Sequence, residues 1–520
     1  MTQRQLSTVV VVLLGLLGLM PILFMIGSTL FEQHTLSFHA YEVLFSDSSL
    51  WRSFQHSILL AFTVATATTV VGTMLAVLLS KTNLYFRFIW LILLITPLLI
   101  PPYILAYGWY GLLGRQSELG HILFGFWGTS FVLFSVYLPI PIFIVSLFLR
   151  HVNPKLEEAG LLYCNWRCVL TRITIPLILP ALVFSFLLVL MLSIGEFSVA
   201  NFLRYDIFPM ESFIQFSAFY DFKTATVYTM PLVLIVILVL LLQFLFSKHH
   251  TLNAHYQNNK QISLPKHIQI PVIAMLLLFI LSIVGFPFFG ILKYIDTQSF
   301  LLALEHALPS LSRSIVYTFL GASLLAFFGL FAAYIMQYKT TKYWYFLQSF
   351  ILFLFVLSSI TLGISLILFW NHSFTNFIYA TPLLLLLGYL MKYLFLSTQV
   401  IKLKFAEIPS SMIESAQLTG ASWYQILWGI LLPLVKEALI FAWFIGFIFT
   451  LRESTLSMLL APAGSSTLPT YIFTQMANGK EATIASLCLI MILTILLPLF
   501  AFITYSNTKM KPQGQAHVST

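Results

Sequence analysis

Two short polar stretches interrupt an otherwise apolar chain, and they are copies of one another. The first reads Leu156-Glu157-Glu158-Ala159-Gly160-Leu161-Leu162-Tyr163-Cys164-Asn165-Trp166; the second reads Ile413-Glu414-Ser415-Ala416-Gln417-Leu418-Thr419-Gly420-Ala421-Ser422-Trp423. Each runs on to an apolar stretch and a proline, Ile173-Thr174-Ile175-Pro176 and Ile430-Leu431-Leu432-Pro433. Glu157 and Glu414, Ala159 and Ala416, Trp166 and Trp423, and Pro176 and Pro433 are all separated by 257 residues. An acid, a small residue and an aromatic on a short amphipathic helix are the parts of a docking handle: the small residue permits close approach and the indole offers a large apolar anchor. The bland reading of the acids is helix capping. Asn153-Pro154 supplies an N-cap and a first-turn proline, and Ser411-Met412-Ile413-Glu414 reads as a capping box.

Other candidate chemistry is thinner. Glu196 and Glu453 are a second pair of acids at the same spacing. The sequence reading puts them at the outer ends of two membrane spans, as interfacial carboxylates or as the outer mouth of a translocation pathway. Cys164 and Cys168 lie one helical turn apart, yet three cysteines make no disulfide framework, and no matching His or Cys cluster points to a metal site. The histidines fall in loops and in a polar stretch containing His249, His250 and His255, so no metal is expected. No phosphate-binding G-x-x-x-x-G-K-[ST] loop occurs, the nearest approach being Gly479-Lys480-Glu481. No catalytic residue and no cofactor are expected.

These residues need a scaffold, and composition says which. The chain is 59% hydrophobic and 8% charged, with a mean hydropathy of +0.95, whereas soluble domains carry about 25% charged residues. Lipid must therefore be much of its solvent. The net charge of +9 does not indicate nucleic acid, because the basic residues sit in short loops between apolar runs. About 20 apolar residues cross a bilayer as helix, which predicts about twelve spans. The first six are Leu6–Leu30, Phe54–Ser80, Phe88–Leu113, Ile122–Leu149, Ile173–Ile194 and Thr226–Phe246. The second six are Ile268–Leu292, Leu311–Gln337, Trp344–Trp370, Ile378–Val400, Leu431–Leu451 and Ala482–Tyr505.

The 257-residue offset extends to Ser57 with Ser314 and Gly72 with Gly329. It predicts an all-α polytopic membrane protein of two parallel six-helix repeats: residues 1–247, a linker at 248–267, and residues 268–520. With the N-terminus in the cytoplasm, the inner segments hold seventeen of the 26 Lys and Arg residues, Lys392 counted among them, and the outer segments hold eight. That bias places both polar stretches and both termini in the cytoplasm.

On these motifs the chain resembles the membrane permeases of bacterial ATP-binding-cassette importers that use a substrate-binding protein. Their signature runs Glu-Ala-Ala, three variable residues, Gly, and then Ile-x-Leu-Pro. The second copy matches it at Glu414, Ala416, Gly420 and Ile430-Leu431-Leu432-Pro433, departing at Ser415; the first keeps Glu157 and Ala159 but has Tyr163 where Gly420 stands. The resemblance is most specific over residues 154–203 and 411–460. Two fused halves, and Leu451-Arg452-Glu453-Ser454-Thr455-Leu456, resemble the ferric-iron and thiamine branch.

The resemblance implies coupling helices at about 154–166 and 411–423, with Glu157, Glu158, Ala159, Trp166, Glu414, Ala416, Gly420 and Trp423 as the coupling residues. It implies two copies of a separate cytoplasmic ATPase subunit, an extracytoplasmic binding protein and a bacterial inner-membrane location. Ferric iron, thiamine, a polyamine and a phosphonate all remain open as cargo, ferric iron first. The rival is a secondary transporter driven by an ion gradient. It would want ionisable residues buried at mid-membrane, and the sequence places almost every charge in a loop or at a span end.

Overall fold

The structure is a computed structural model describing residues 3–32, 35–36, 39–114, 117–247, 262–379 and 381–509. Residues 248–261, most of the expected linker with His249, His250 and His255, lie outside the described residues. Among the described residues, nine helices are long and apolar enough to cross a membrane, or up to twelve if each of three helix pairs bent at a short break is counted as one span. Helix dominates because lipid offers no partner for a backbone N–H or C=O, so each span must satisfy its own. Among the described residues, strand pairing is confined to a two-residue ribbon, Phe31–Glu32 against Thr35–Leu36, and an isolated bridge between Thr82 and Ile262.

The breaks are where the expected spans need correction. Phe88–Leu113 is two helices, Arg87–Leu99 and Pro102–Leu113, bent by 97°, and Trp344–Trp370 is likewise Trp344–Val356 and Ser359–Trp370, bent by 107°. Leu99 and Val356, the last residues before the two breaks, are 257 apart. In the first pair the cause is visible: Pro101-Pro102 follow Ile100, and a residue before proline is driven out of helical conformation. The second break has Ser358 at the turn and no proline. Both fall near the middle of an apolar stretch expected as one span.

The repeat offset has a packing reason at each position the sequence flagged. Ser57 Oγ accepts the backbone N–H of Phe208 at 2.8 Å, and Ser314 Oγ accepts that of Leu468 at 2.6 Å, so each serine caps the start of a short helix, Phe208–Ser217 or Leu468–Asn478. A side chain at Gly72 would meet Pro141 Cβ at 2.8 Å, and one at Gly329 would meet Ser397 Cβ at 3.0 Å. Small residues let membrane helices approach closely, and these two glycines do it at equivalent crossings. Π-helical turns at Leu170–Thr174 and Leu427–Leu431 precede the two motif prolines. A widened turn makes room for a ring that removes one N–H and crowds the preceding turn.

Two long helices are the props of the bundle. Ser48–Lys81 and Thr297–Tyr338 run well beyond the spans expected at Phe54–Ser80 and Leu311–Gln337. Asp47 and Asp296 cap their first turns, and the hydroxyls of Ser49 and Ser299, donating to these carboxylates, hold both acids below the usual range. At the other end, Ile262 N–H donates to Lys81 O at 2.6 Å and Asn83 N–H to Ile262 O at 3.3 Å, pinning the linker's last residues to the first prop.

Candidate functional site

Both polar stretches form a short helix, a turn and a second short helix: Pro154–Leu161 then Trp166–Val169, and Ser410–Leu418 then Trp423–Ile426. The first helix starts as expected, Asn153 Oδ1 accepting the N–H of Lys155 at 3.0 Å with Pro154 in the first turn. The second does not. Pro409 precedes it without a side-chain cap, and the capping box forms one helix later, between Ser422 and Gln425. The box therefore covers the first N–H groups of Trp423–Ile426, while those of Ser410–Leu418 receive no side-chain cap.

The turns differ in chemistry and agree in outcome. Gly420 has φ +81°, and Ala421 N–H returns to Ala416 O at 3.1 Å, a left-handed helix stop that favours glycine. Tyr163 stays out of that region: Tyr163 and Cys164 N–H both return to Gly160 O at 3.0 Å. A disulfide joins Cys164 to Cys168 across this turn, contrary to the expectation of unpaired cysteines. Gly160 allows the fold-back, because a Cβ there would meet Ile173 Cδ1 at 2.6 Å. The motif glycine is thus replaced in the first copy by a different local solution, and Trp166 and Trp423 still open equivalent helices.

Glu157 and Glu414 occupy equivalent positions in different environments. The Glu157 side chain is fully buried; Lys81 Nζ donates to both its oxygens at 2.9 and 2.8 Å, and Thr174 Oγ1 donates to Oε1 at 2.9 Å. Position 81 is at the end of the first long prop, so this acid ties the handle to the bundle and turns no face to a partner. Glu414 is exposed. Tyr338 stands where Lys81's counterpart would be, and the second handle is held by aromatics: Trp423 Nε1 donates to Tyr334 Oη at 2.8 Å, and Tyr334 in turn packs edge-on against Phe405 and tilted against Tyr338. Trp423 is therefore an anchor into the bundle more than a free docking residue. What each handle presents outward is Glu158, Ala159, Leu162 and Tyr163 on one side and Glu414, Leu418 and Thr419 on the other. Leu162, Tyr163 and Leu418 are 83%, 92% and 89% exposed, unusual values for large apolar groups on otherwise polar turns.

Glu196 and Glu453 closely follow the ends of Leu179–Ile194 and Leu432–Leu451, as expected of span ends, and are part-buried. They sit between helices beside the two breaks. Glu196 Oε1 accepts from the hydroxyl and the N–H of Ser198, the latter at 2.9 Å. Glu453 accepts from the Tyr393 hydroxyl and, at 3.1 Å, from Leu456 N–H. Two cations share this centre. Arg452 donates to Leu98 O and Lys392 to Leu357 O, the carbonyls that the breaks release from their helices. Gly195, next to Glu196, packs against Ser358, with Cβ room of only 3.2 Å to the Ser358 backbone. Each acid-bearing segment thus meets the other half's broken helix.

Lys392 is buried in the middle of the helix Leu383–Ala406, so it does not count toward the inner loops. Lys392 is thus an exception to the placement of charges in loops and at span ends, while Glu196, Arg452 and Glu453 follow helix ends. Lys392 lay inside an expected span from the start, which was the signal available; its partner, a freed carbonyl 35 residues away, had none. The Lys81–Glu157 pair, 76 residues apart, was equally invisible.

Residues 325–512 match the family described as the binding-protein-dependent transport system inner membrane component. The chain is 23% identical over 499 residues to a ferric transport system permease protein of Actinobacillus pleuropneumoniae, covering 89% of this chain and 72% of that one. It is 23% identical over 523 residues to an Fe(3+)-transport system permease protein of Haemophilus influenzae, covering 96% of this chain and 98% of that one. A spermidine/putrescine transport system permease protein of the same organism is 29% identical over 41% of this chain.

Proposed function

We propose that this chain, whose similarities and nine to twelve apolar helical spans make it a multi-pass inner-membrane permease of the binding-protein-dependent ATP-binding-cassette class, imports ferric iron. It is a transport component and not an enzyme: ATP is hydrolysed by a partner subunit, and cargo arrives on a substrate-binding protein. The ferric assignment rests on two long similarities, one of them nearly full-length, both to permeases named for ferric iron. The observation that carries the coupling reading is the pair of handles, duplicated at 257 residues, each projecting large exposed apolar groups from a turn braced on the bundle.

In this reading residues 1–247 and 268–520 are the two permease halves, both termini are cytoplasmic, and two ATPase copies dock, one per handle. Leu162, Tyr163, Glu158 and Ala159 meet one copy; Leu418, Glu414, Ala416 and Gly420 meet the other. Closure of the ATPases on ATP pulls both handles. The pull enters the first half through the Lys81–Glu157–Thr174 cluster and the second through Trp423 on Tyr334, and Glu196 and Glu453 face the route the cargo takes between the halves.

The test is uptake of radioactive ferric iron into proteoliposomes holding the permease, the ATPase subunit and the binding protein. Uptake that requires ATP and the binding protein is expected; uptake driven by an ion gradient in liposomes lacking the ATPase would replace this reading with a gradient-driven carrier.

A further inference from the structure

The charged centre is built in an unusual way. Two acids and two bases share one region: Arg452 adjoins Glu453, Lys392 adjoins the Tyr393 that donates to Glu453, and Lys392 reaches Leu357 O next to Ser358, on which Gly195 beside Glu196 packs. Yet among the described residues neither base makes an ion pair with either acid. The carboxylates take hydroxyl and amide donors, from Tyr393 and Ser198 and their neighbours, while Arg452 and Lys392 reach past them to backbone carbonyls at the breaks. An ionised side chain at mid-bilayer is costly and is ordinarily neutralised by a partner. Here the cations instead occupy carbonyl oxygens freed by broken helices, the kind of group that coordinates cations in membrane transporters.

A second observation is independent of the charges. Among the described residues, the hydroxyls of Tyr103, Ser358 and Thr361 are buried with no hydrogen-bond partner. All three belong to the first turn after a break, Tyr103 after the first and Ser358 and Thr361 at the second, and Tyr103 lies within electrostatic reach of Arg452 and Glu453. A buried hydroxyl left unpaired costs free energy that an incoming ligand would recover. The donors are then carboxylates, phenols, aliphatic hydroxyls and freed carbonyls, an oxygen-rich set with the buried Cys488 thiol close to Tyr103. Oxygen donors of this kind suit a hard cation of high charge.

We propose that the oxygen-rich region between the two breaks is a transit site for a bare, hard, trivalent cation, and that Arg452 and Lys392 are tethered stand-ins that fill its carbonyl positions while no cargo is present. The carboxylates of Glu196 and Glu453 and the oxygens of Tyr103 and Tyr393 receive the ion, and the two side-chain cations withdraw from Leu98 O and Leu357 O as it enters. The site is transient by construction, because the same two cations return to expel the ion. This rests on the ferric reading above and specifies the route within it.

The test uses the purified full chain with terbium as a hard trivalent probe, read by its luminescence on excitation of nearby tyrosines, with ferric nitrilotriacetate as competitor. A saturable, iron-competed signal is expected from the unaltered protein, and its loss in Glu196→Gln/Glu453→Gln. Lys392→Met and Arg452→Gln should each bind terbium about tenfold more tightly, because a like charge has been removed from beside the ion. Where a buried-lysine variant unfolds, Arg452→Gln and Tyr103→Phe carry the comparison, the latter weakening the signal. The proposal is overturned by a signal that survives Glu196→Gln/Glu453→Gln, or by terbium binding that weakens in both Arg452→Gln and Lys392→Met. Iron uptake by the full complex separates the two readings. If the unaltered complex imports iron and the double glutamine variant imports it equally well, the site falls and the function stands; if the unaltered complex imports none, both fall.

Discussion

Removing Lys81 should cut the first handle loose while leaving the second untouched. Lys81 and Glu157 are both fully buried, and the ammonium lies 2.8 Å from Oε2. Replacing Lys81 by Met strands a buried carboxylate whose remaining side-chain partner is the Thr174 hydroxyl. Breaking one side of a buried pair costs about 3–5 kcal/mol. Spent on local opening of the handle, that raises its open population by roughly two to four powers of ten. Hydrogen exchange in the complex reads this directly: amides of Pro154–Leu161 should lose protection in Lys81→Met, while those of Ser410–Leu418 should not. Replacing both partners by apolar residues of similar size, Lys81→Met with Glu157→Leu, should restore most of the protection, since apolar substitutes for a buried ion pair are often neutral. Unchanged exchange in Lys81→Met would refute the view that this pair holds the handle, and a double variant that stays as loose as the single would refute the reasoning from stranded charge.

Gly420→Val should weaken ATPase association through the second handle alone. No atom lies within 4 Å of a Cβ built there, so the cost is the left-handed backbone at φ +81° and not a clash. That conformation costs a residue with a side chain about 1–2 kcal/mol, a five- to thirtyfold weaker complex if all of it falls on docking, measurable by titration of the ATPase subunit. Gly290→Ala should lower thermal stability in detergent by several degrees, because its Cβ would sit 1.9 Å from Gly108 O, where the helix Phe286–Leu292 meets Pro102–Leu113 backbone to backbone. A melting temperature within a degree of the unaltered protein would show that this crossing tolerates separation.

Span number, repeat and handles were legible from the chain because each is a local pattern. Apolar runs of membrane length announce helices, and a fixed offset announces duplication even where Tyr163 replaces glycine. The physical reasons behind the offset were not legible: that Ser57 and Ser314 cap helices more than 150 positions away, or that Gly72 and Gly329 are crossing points. What local patterns could not show was partnership at long range. Glu157 looked like a capping or docking acid; a lysine 76 residues earlier makes it a buried strut. Glu196 and Glu453 were legible as acids at the ends of apolar runs, but hydropathy along one chain cannot register the broken helices of the other half that pack beside them. The breaks had one clue, Pro101-Pro102, in the first half and none at Leu357-Ser358.

The account's central claim is that two braced handles are what the ATPase grips. Cross-linking tests it most directly: Tyr163→Cys and Leu418→Cys, each in a chain whose native cysteines are replaced by serine, reconstituted with the ATPase subunit. Both positions are predicted to cross-link to that subunit, with yields that change when ATP is added. Failure at both positions in an assembled, ATP-hydrolysing complex, or their modification by an impermeant thiol reagent applied outside intact cells, would contradict it.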